Sequence, residues 1–352
     1  MKTRLWVPAI LLLLAASAAA QQPRIVNAKL ETRSAAAGLE RGFHSLVAAQ
    51  AGPAWIGYAV PIVAGQWHAC CSMRCGSGCL LEERNATQYQ TDARSVQLEG
   101  AQRLVVLYRV EQRAVRKIRW FTEDCELDAG GLPFYWLTDV RAAESVALLG
   151  SFVGRFAEGS KDGRRLAESA LAVVAQQADA SADQALEGWV APDQPEEQRK
   201  KAVFWLGSSR GRRGYEILDR LAREDPSEKV REQVVFALYV SKEPQAVEAI
   251  IRTARQDASP RVRGQALFWL AQRAGRQAAE AITAAIENDP ETEVKKKAVF
   301  ALSQLPKDEG VPLLIQVART NKNPVVRKQA MFWLGQSNDA RALAFFEEIL
   351  KR

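Results

Sequence analysis

The sequence predicts an α+β chain: a small β-rich, disulfide-containing domain followed by an all-α solenoid. Three observations carry this prediction. The first is a tetrad that recurs as Val203-Phe204-Trp205-Leu206, Val235-Phe236-Ala237-Leu238, Leu267-Phe268-Trp269-Leu270, Val299-Phe300-Ala301-Leu302 and Met331-Phe332-Trp333-Leu334. Neighbouring phenylalanines are always 32 residues apart (236−204, 268−236, 300−268, 332−300). A fixed period of that size marks units that bury their apolar faces only against their neighbours. The second is a set of β-branched and aromatic runs before residue 140, with no helical period. The third is the cysteine distribution: all five lie in that same N-terminal part.

The chain opens on a targeting signal. Lys2 and Arg4 precede the apolar run Leu5–Leu14, and Ala18-Ala19-Ala20 supplies a small-residue cleavage site before Gln21. The run is shorter than the ~20 residues a spanning helix needs, so residues 1–20 read as a cleaved signal peptide. The expected location is therefore periplasmic or secreted. A net charge of +7, from 48 basic and 41 acidic residues, is too small an excess to indicate nucleic acid. In an oxidising compartment Cys70, Cys71, Cys75, Cys79 and Cys125 read first as disulfide candidates. Five is odd, so one is left over or pairs with another molecule. Cys125 is the expected distant partner for one of the other four.

Residues 21–140 form the β-rich domain. Leu104–Val110 and Ala114–Phe121 flank Glu111-Gln112-Arg113, a hairpin signal whose turn lacks glycine. Trp55–Val63 is a third strand, and Pro61 within it favours an edge position. Residues 141–352 form the solenoid. Ala142–Phe156 places Val146, Leu149, Phe152 and Val153 at helical spacing and caps the array. Six 32-residue units fill 161–352, the first a weak copy around Ala170–Val174. Each unit reads helix, loop, helix, the second helix carrying the core column Leu218, Ile250, Ile282, Leu314 and Phe346. Asp225-Pro226 and Asp289-Pro290 suit an N-cap with proline at the first helical position; Ser259-Pro260 and Asn323-Pro324 give the same signal two residues later.

Two polar columns recur in the first helices. Asp193, Asp225, Asp257 and Asp289, with Asn321 in the sixth unit, precede by six residues Arg199, Arg231, Arg263, Lys295 and Arg327. Asp, then Val-Arg, then a small residue four positions on resembles the HEAT repeat in its short bacterial form. The resemblance covers 161–352. It implies paired antiparallel helices stacked into a curved superhelix, the first helix lining the concave side, with the Asp and Arg columns forming a hydrogen-bonded ladder. The first and last units depart from it, with Ala167 for Arg and Asn321 for Asp. The N-terminal part, with Cys70-Cys71, the hairpin and Thr122–Pro133, resembles the front half of uncharacterised exported bacterial HEAT-repeat proteins, for which no activity is implied.

A longer period is superposed. Trp205, Trp269 and Trp333 alternate with Ala237 and Ala301, so large residues stack beside small ones at a spacing of 64. The column should face neighbouring units.

Chemistry-bearing constellations are few. His68 with Cys70, Cys71, Cys75 and Cys79 contains enough metal ligands, but not the paired C-x2-C spacing of structural zinc sites. Asp124, Glu126, Asp128 and Gly130 imitate the start of a calcium loop, with Tyr135 where the bidentate glutamate belongs. His44 and His68 sit in no catalytic context, and no phosphate loop or zinc-peptidase motif occurs. No cofactor is expected, and the enzyme readings, including a HEAT-type bilin lyase, have no support beyond the repeat. The phenylalanine column Phe204, Phe236, Phe268, Phe300 and Phe332 lies nearly opposite the core face of the first helices, flanked by Lys201, Gln233, Gln265, Lys297 and Gln329. It either packs between units or lines a concave peptide groove. The expected function is an exported, monomeric, non-enzymatic scaffold that binds a protein or peptide on its concave face. The alternative is a thiol or metal-binding envelope protein with chemistry at Cys70–Cys79 and the solenoid as docking arm.

Overall fold

A computed structural model describes residues 23–64, 79–82, 101–273 and 276–351. The signal segment, His68, Cys70, Cys71 and Cys75 lie outside the described residues. A β-containing N-terminal region precedes a helical-repeat solenoid.

The N-terminal region runs β1 (Ile25–Val26), β2 (Lys29–Ser34), α1 (Leu39–Ala49), β3 (Ala54–Pro61), β4 (Cys79–Leu80), β5 (Arg103–Glu111), β6 (Ala114–Thr122), β7 (Leu127–Asp128), β8 (Pro133–Thr138) and α2 (Ala142–Val153). Five strands make a mixed sheet in the order β2-β8-β3-β5-β6, and three short ones a second sheet, β1-β7-β4. The expected hairpin is β5–β6, in antiparallel register Leu104↔Thr122 to Glu111↔Ala114. Its turn residues Gln112 and Arg113 both take positive φ, 53° and 58°. That geometry matches the twist of the strands, and glycine or asparagine would adopt it more readily.

β3 is not the edge strand that Pro61 suggested: it lies between β8 and β5. The reason is local. β8 pairs only with Trp55–Gly57, so the β8 side of β3 is open by Pro61. Ile62 N–H donates toward Gln102 on the β5 side, and Val63 N–H donates to Gln176 on the other. By alternation the missing donor of Pro61 faces the side that β8 has left, where the Pro61 carbonyl accepts from Ala178 N at 2.9 Å, so no bond between strands is lost.

Both faces of the large sheet are covered. Ile56, Tyr58, Val60, Leu104, Val106 and Tyr108 pack with Phe43 of α1 and Leu149 and Phe152 of α2, in a core that continues without a break into the solenoid. Buried within it, the Tyr58 hydroxyl lies 2.8 Å from that of Tyr108 and 2.9 Å from Ser145 Oγ of α2. Burial pushes the Tyr58 phenol up to about 12. The opposite face, with Trp55, Val105, Leu107, Phe134 and Trp136, meets the small sheet and both described cysteines, Cys79 and Cys125. Gly57 is needed on that face, because a Cβ there would stand 2.5 Å from Leu107 Cδ2.

Six helix pairs follow. They are α3 (Lys161–Gln176) with α4 (Ala180–Trp189), α5 (Glu196–Ser209) with α6 (Gly211–Glu224), and α7 (Glu228–Val240) with α8 (Ala246–Gln256). Then come α9 (Pro260–Arg273) with α10 (Arg276–Asn288), α11 (Thr292–Ser303) with α12 (Lys307–Thr320), and α13 (Pro324–Gln336) with α14 (Ala340–Leu350). Within a pair the helices close on one column of small residues: Ala182, Gly214, Ala246, Ala278, Gly310 and Ala342, all buried. At Gly214 an added Cβ would lie 2.0 Å from the Leu206 carbonyl oxygen. α2 packs against α3 and α4.

The polar columns sit at the joints. Asp225 and Asp289, expected as caps, do not N-cap the first helices: each lies two positions upstream of the cap, Ser227 and Glu291 respectively. The side chains of Ser227, Ser259 and Asn323 accept from backbone N–H groups of the first turn. The Asp Oδ1 accepts from the N–H two residues on (Ser227 2.9 Å, Ser259 2.8 Å, Glu291 2.9 Å), and the carboxylate keeps capacity for the neighbouring unit. Arg231 then donates to Asp257 through Nε at 2.8 Å and Nη2 at 3.1 Å, and Arg263 to Asp289 at 2.7 and 3.0 Å. Arg199 donates to Asp225 Oδ2 through Nη2 alone, its Nε going to the Val190 carbonyl at 3.0 Å. Each of Arg231 and Arg263 also reaches a carbonyl of its own joint at 2.8 Å, Asp225 O and Asp257 O. The adjacent carboxylates raise both guanidinium pKa values further.

The column does not run the whole length. Asp193 is exposed, and Ala167, 26 residues before it, has no charge to offer. Lys295 donates instead to Glu287 O at 2.8 Å, and Arg327 to Asn321 O at 2.8 Å. Lys295 is thus tied back to α10 and Arg327 to its own joint, and among the described residues neither is paired with a carboxylate of the next unit.

Because Asp257 is almost fully buried, removing its carboxylate strands a guanidinium and a backbone N–H. Asp257→Ala should lower the unfolding free energy by about 3 kcal/mol, against under about 0.5 kcal/mol for the exposed Asp193→Ala. Urea melts of both variants measure the difference.

Candidate functional site

The first helices α5, α7, α9, α11 and α13 lie against one another along the array far more closely than do α6, α8, α10, α12 and α14. A layer whose members are closer together is the inside of a bend, so the first helices form the concave layer. Their Val and Leu positions (Val203, Val234, Leu238, Val262, Leu270) are buried toward the second helices. The phenylalanines at 100° per residue emerge on the other side.

There they form a continuous aromatic file. Phe204 stacks on Phe236 with centroids 6.1 Å apart and planes 15° off parallel. Phe236 meets Trp269 at 4.8 Å, and Trp269 meets Phe268 edge-on at 5.0 Å. Phe268 stacks on Phe300 at 6.1 Å and 6°, and Phe300 meets Trp333 at 4.9 Å. The geometry thus repeats every two units, in step with the Trp/Ala alternation. Ala237 and Ala301 are fully buried, and this lets the tryptophan of the next unit lean back on the preceding phenylalanine. Trp269 also touches Tyr239 at 4.6 Å. Phe204, Phe236, Phe268 and Phe300 are half-buried, whereas Phe332, with no later unit against it, is 54% exposed. The two readings of the column are therefore not exclusive: the rings pack between units and keep one edge open.

Around Phe236 and Trp269 the surface sinks into an open groove of about 580 Å³. Gln233 and Gln265 line it, with Lys200, Lys229, Arg261 and Lys297 as its cationic walls and Glu232 as its acid. Several cations are partnered: Lys200 with Glu197 at 2.8 Å, Lys229 with Glu196 at 3.2 Å, Arg261 with Glu232. The Lys200 hydrogen bond holds the Glu197 carboxyl below its usual range. The Lys297 stem lies across Gly264, where a Cβ would meet its Cδ at 2.3 Å. Lys201 turns away to Glu168 at 3.2 Å, and Gln329 is half-buried near the far end.

Tyr239, Lys200 and Arg261 were not singled out from the sequence. Lys200 lies four residues before Phe204, and Arg261 seven before Phe268, so helical spacing alone puts both on the aromatic face. The acidic turn does not hold a calcium-like array: Asp128 accepts from Asn27 Nδ2 at 3.1 Å and Gly130 N at 2.8 Å, and Glu126 pairs with Arg24 at 2.9 Å. His44 is exposed on α1, 3.9 Å from Glu40. Among the described residues no group of three His, Cys, Asp or Glu side chains is placed to hold a metal.

These features define a helical-repeat solenoid with an aromatic, amide-rich inner face. Its repeats are of a known kind: the model of HEAT repeats matches residues 216–292, 247–331 and 279–352, so 216–352 are HEAT repeats. No curated protein matches the chain. Among solved structures, the CpcE–CpcF complex of phycocyanin lyase from Nostoc sp. PCC7120 is 17% identical, over 44% of this chain and 98% of that one, with a TM-score of 0.36. Human deoxyhypusine hydroxylase is 20% identical over 60% and 84%, with a TM-score of 0.26. A designed armadillo repeat protein in complex with a (KR)4 peptide is 21% identical over 54% and 99%, with a TM-score of 0.29. At these values the likenesses say nothing about activity.

Trp269 carries contacts to two units and Phe332 to one. Trp269→Ala should cost about 3 kcal/mol of stability and Phe332→Ala under about 0.5 kcal/mol. Equal melting midpoints for the two variants would mean that the file contributes nothing between units.

Proposed function

We propose that the protein is an exported, monomeric, non-enzymatic scaffold that holds an extended protein or peptide segment against the inner face of its solenoid. The observation that carries this reading is the aromatic file, half-open along the floor of a groove whose walls are amide and ammonium groups. Rigid rings with one free edge offer apolar area at little entropic cost, and side-chain amides bond to either sense of a peptide main chain. Such binding needs no cofactor. No helix of the described residues is long and apolar enough to cross a membrane. The case for export rests on Lys2, Arg4, the Leu5–Leu14 run and Ala18–Ala20.

We further propose that Cys125 is bridged to the Cys70–Cys79 segment, stapling the small sheet. Its supports are an oxidising destination and the burial of Cys79 and Cys125 in one apolar cluster, at 0% and 2% exposure. Thiol chemistry asks for the opposite, an accessible and electropositive setting. The metal alternative concerns His68, Cys70, Cys71 and Cys75, which lie outside the described residues, together with the buried Cys79.

Photo-crosslinking residues at positions 233 and 265, compared with the exposed outer position 248, test the inner-face reading in cells. Adducts should concentrate at 233 and 265 and disappear when Phe236 and Phe268 are both changed to Ser. Equal labelling at 248 would sink the proposal. Mass spectrometry of the same purified protein should find Gln21 at the N-terminus and, without reductant, a Cys125-containing cross-linked peptide.

A further inference from the structure

The Asp–Arg column changes its polarity between the fifth and sixth units. At the three made rungs, Asp Oδ1 takes the N–H two residues on, and the arginine of the preceding unit donates to the carboxylate. At position 321, Oδ1 of the asparagine still accepts from Asn323 N, at 3.0 Å. Its amide nitrogen therefore takes the place of the oxygen that would face the cation. The cation opposite is Lys295, 26 residues before, and it is turned to the Glu287 carbonyl. Two donors thus share this joint, both lining one pocket, where each of the three made rungs sets a donor against an anion. Donor facing donor is repulsive unless an acceptor comes between them.

The space for one exists. A pocket of about 430 Å³ lies there, and its lining combines Lys295, Asn321 and Lys322 with Ile286, Leu313 and Val317. Thr283, which also lines it, has a buried hydroxyl with no hydrogen-bond partner among the described residues. Glu287 is the one acid on the wall, and it is exposed. A lining that joins several donors to aliphatic side chains suits an amphipathic anion.

We propose that this pocket binds a carboxylate with an apolar tail, whose head completes the fourth rung between Lys295 and Asn321 while its tail lies on Ile286, Leu313 and Val317. The site lies at the joint of α10, α11 and α12, shares no lining residue with the groove at Phe236 and does not depend on it.

Calorimetric titration of the full chain with sodium octanoate, with N-acetyl-leucine as a mimic of a peptide C-terminus, and with neutral octanamide tests this. Octanoate or N-acetyl-leucine should bind saturably at one site, and octanamide at least about tenfold more weakly. The tighter of the two acids identifies the source as a free acid or a chain end. The double variant K295R/N321D restores the residue pair of the earlier rungs. It should melt no lower than the parent and lose the binding, and Lys295→Gln should weaken it with the fold intact. Failure of both acids to saturate, equal affinity for octanamide, or unchanged binding in the folded double variant would overturn the proposal.

Discussion

The solenoid depends on buried ion pairs that span three of its joints. At two of them the guanidinium of one unit reaches the carboxylate in the turn of the next while also donating to a backbone carbonyl of its own turn. Side chains this well buried are costly to desolvate, and the pair is favourable only with several well-aligned hydrogen bonds. That requirement fixes how far one unit is displaced and rotated from its neighbour. The aromatic file follows from it. Rings on successive first helices reach stacking distance because the joint beneath them allows only one offset, and the 64-residue alternation of Trp and Ala then fills the remaining space.

The N-terminal region takes part in the same construction. The end of β3 exchanges backbone hydrogen bonds with the turn after α3, Val63 N to Gln176 O and Ala178 N to Pro61 O, at 2.9 Å each. Gln176 in turn donates to Ser209 of the next unit at 2.9 Å. The sheet, α1 and α2 therefore cover the apolar face that the first repeat would otherwise leave open, as a terminal unit of a repeat array must. At the other end Phe332, Leu343, Ile349 and Leu350 are exposed. The inner face is thus presented from a rigid base at one end.

Much of this was legible in the sequence, and the gaps have physical causes. The 32-residue period located every helix pair because solenoid packing is local and each unit meets the same neighbours. The hairpin was legible from its flanking runs, although Gln112 and Arg113 disguise a turn that usually shows glycine. β2, β8 and α1 were not. β2 is exposed along its whole length, and its pairing with β8 is parallel and about 100 residues distant, so neither alternation nor a turn announces it. The Asp column looked like a cap because Asp-Pro reads as one. Only the structure shows that its carboxylate serves both its own turn and the arginine of the preceding unit. The phenylalanines were placed opposite the core by helical arithmetic, but arithmetic on one helix does not show that rings on adjacent helices meet.

The central claim is that the arginine–carboxylate joints set the register on which the inner face depends. A double-mutant cycle at Arg263 and Asp289, read by chemical denaturation, measures that coupling most directly. The account predicts an interaction energy of about 2 kcal/mol or more, with the Arg263→Ala/Asp289→Ala double variant less destabilised than the sum of the single ones. Additive effects, with a coupling below about 0.5 kcal/mol, would contradict it.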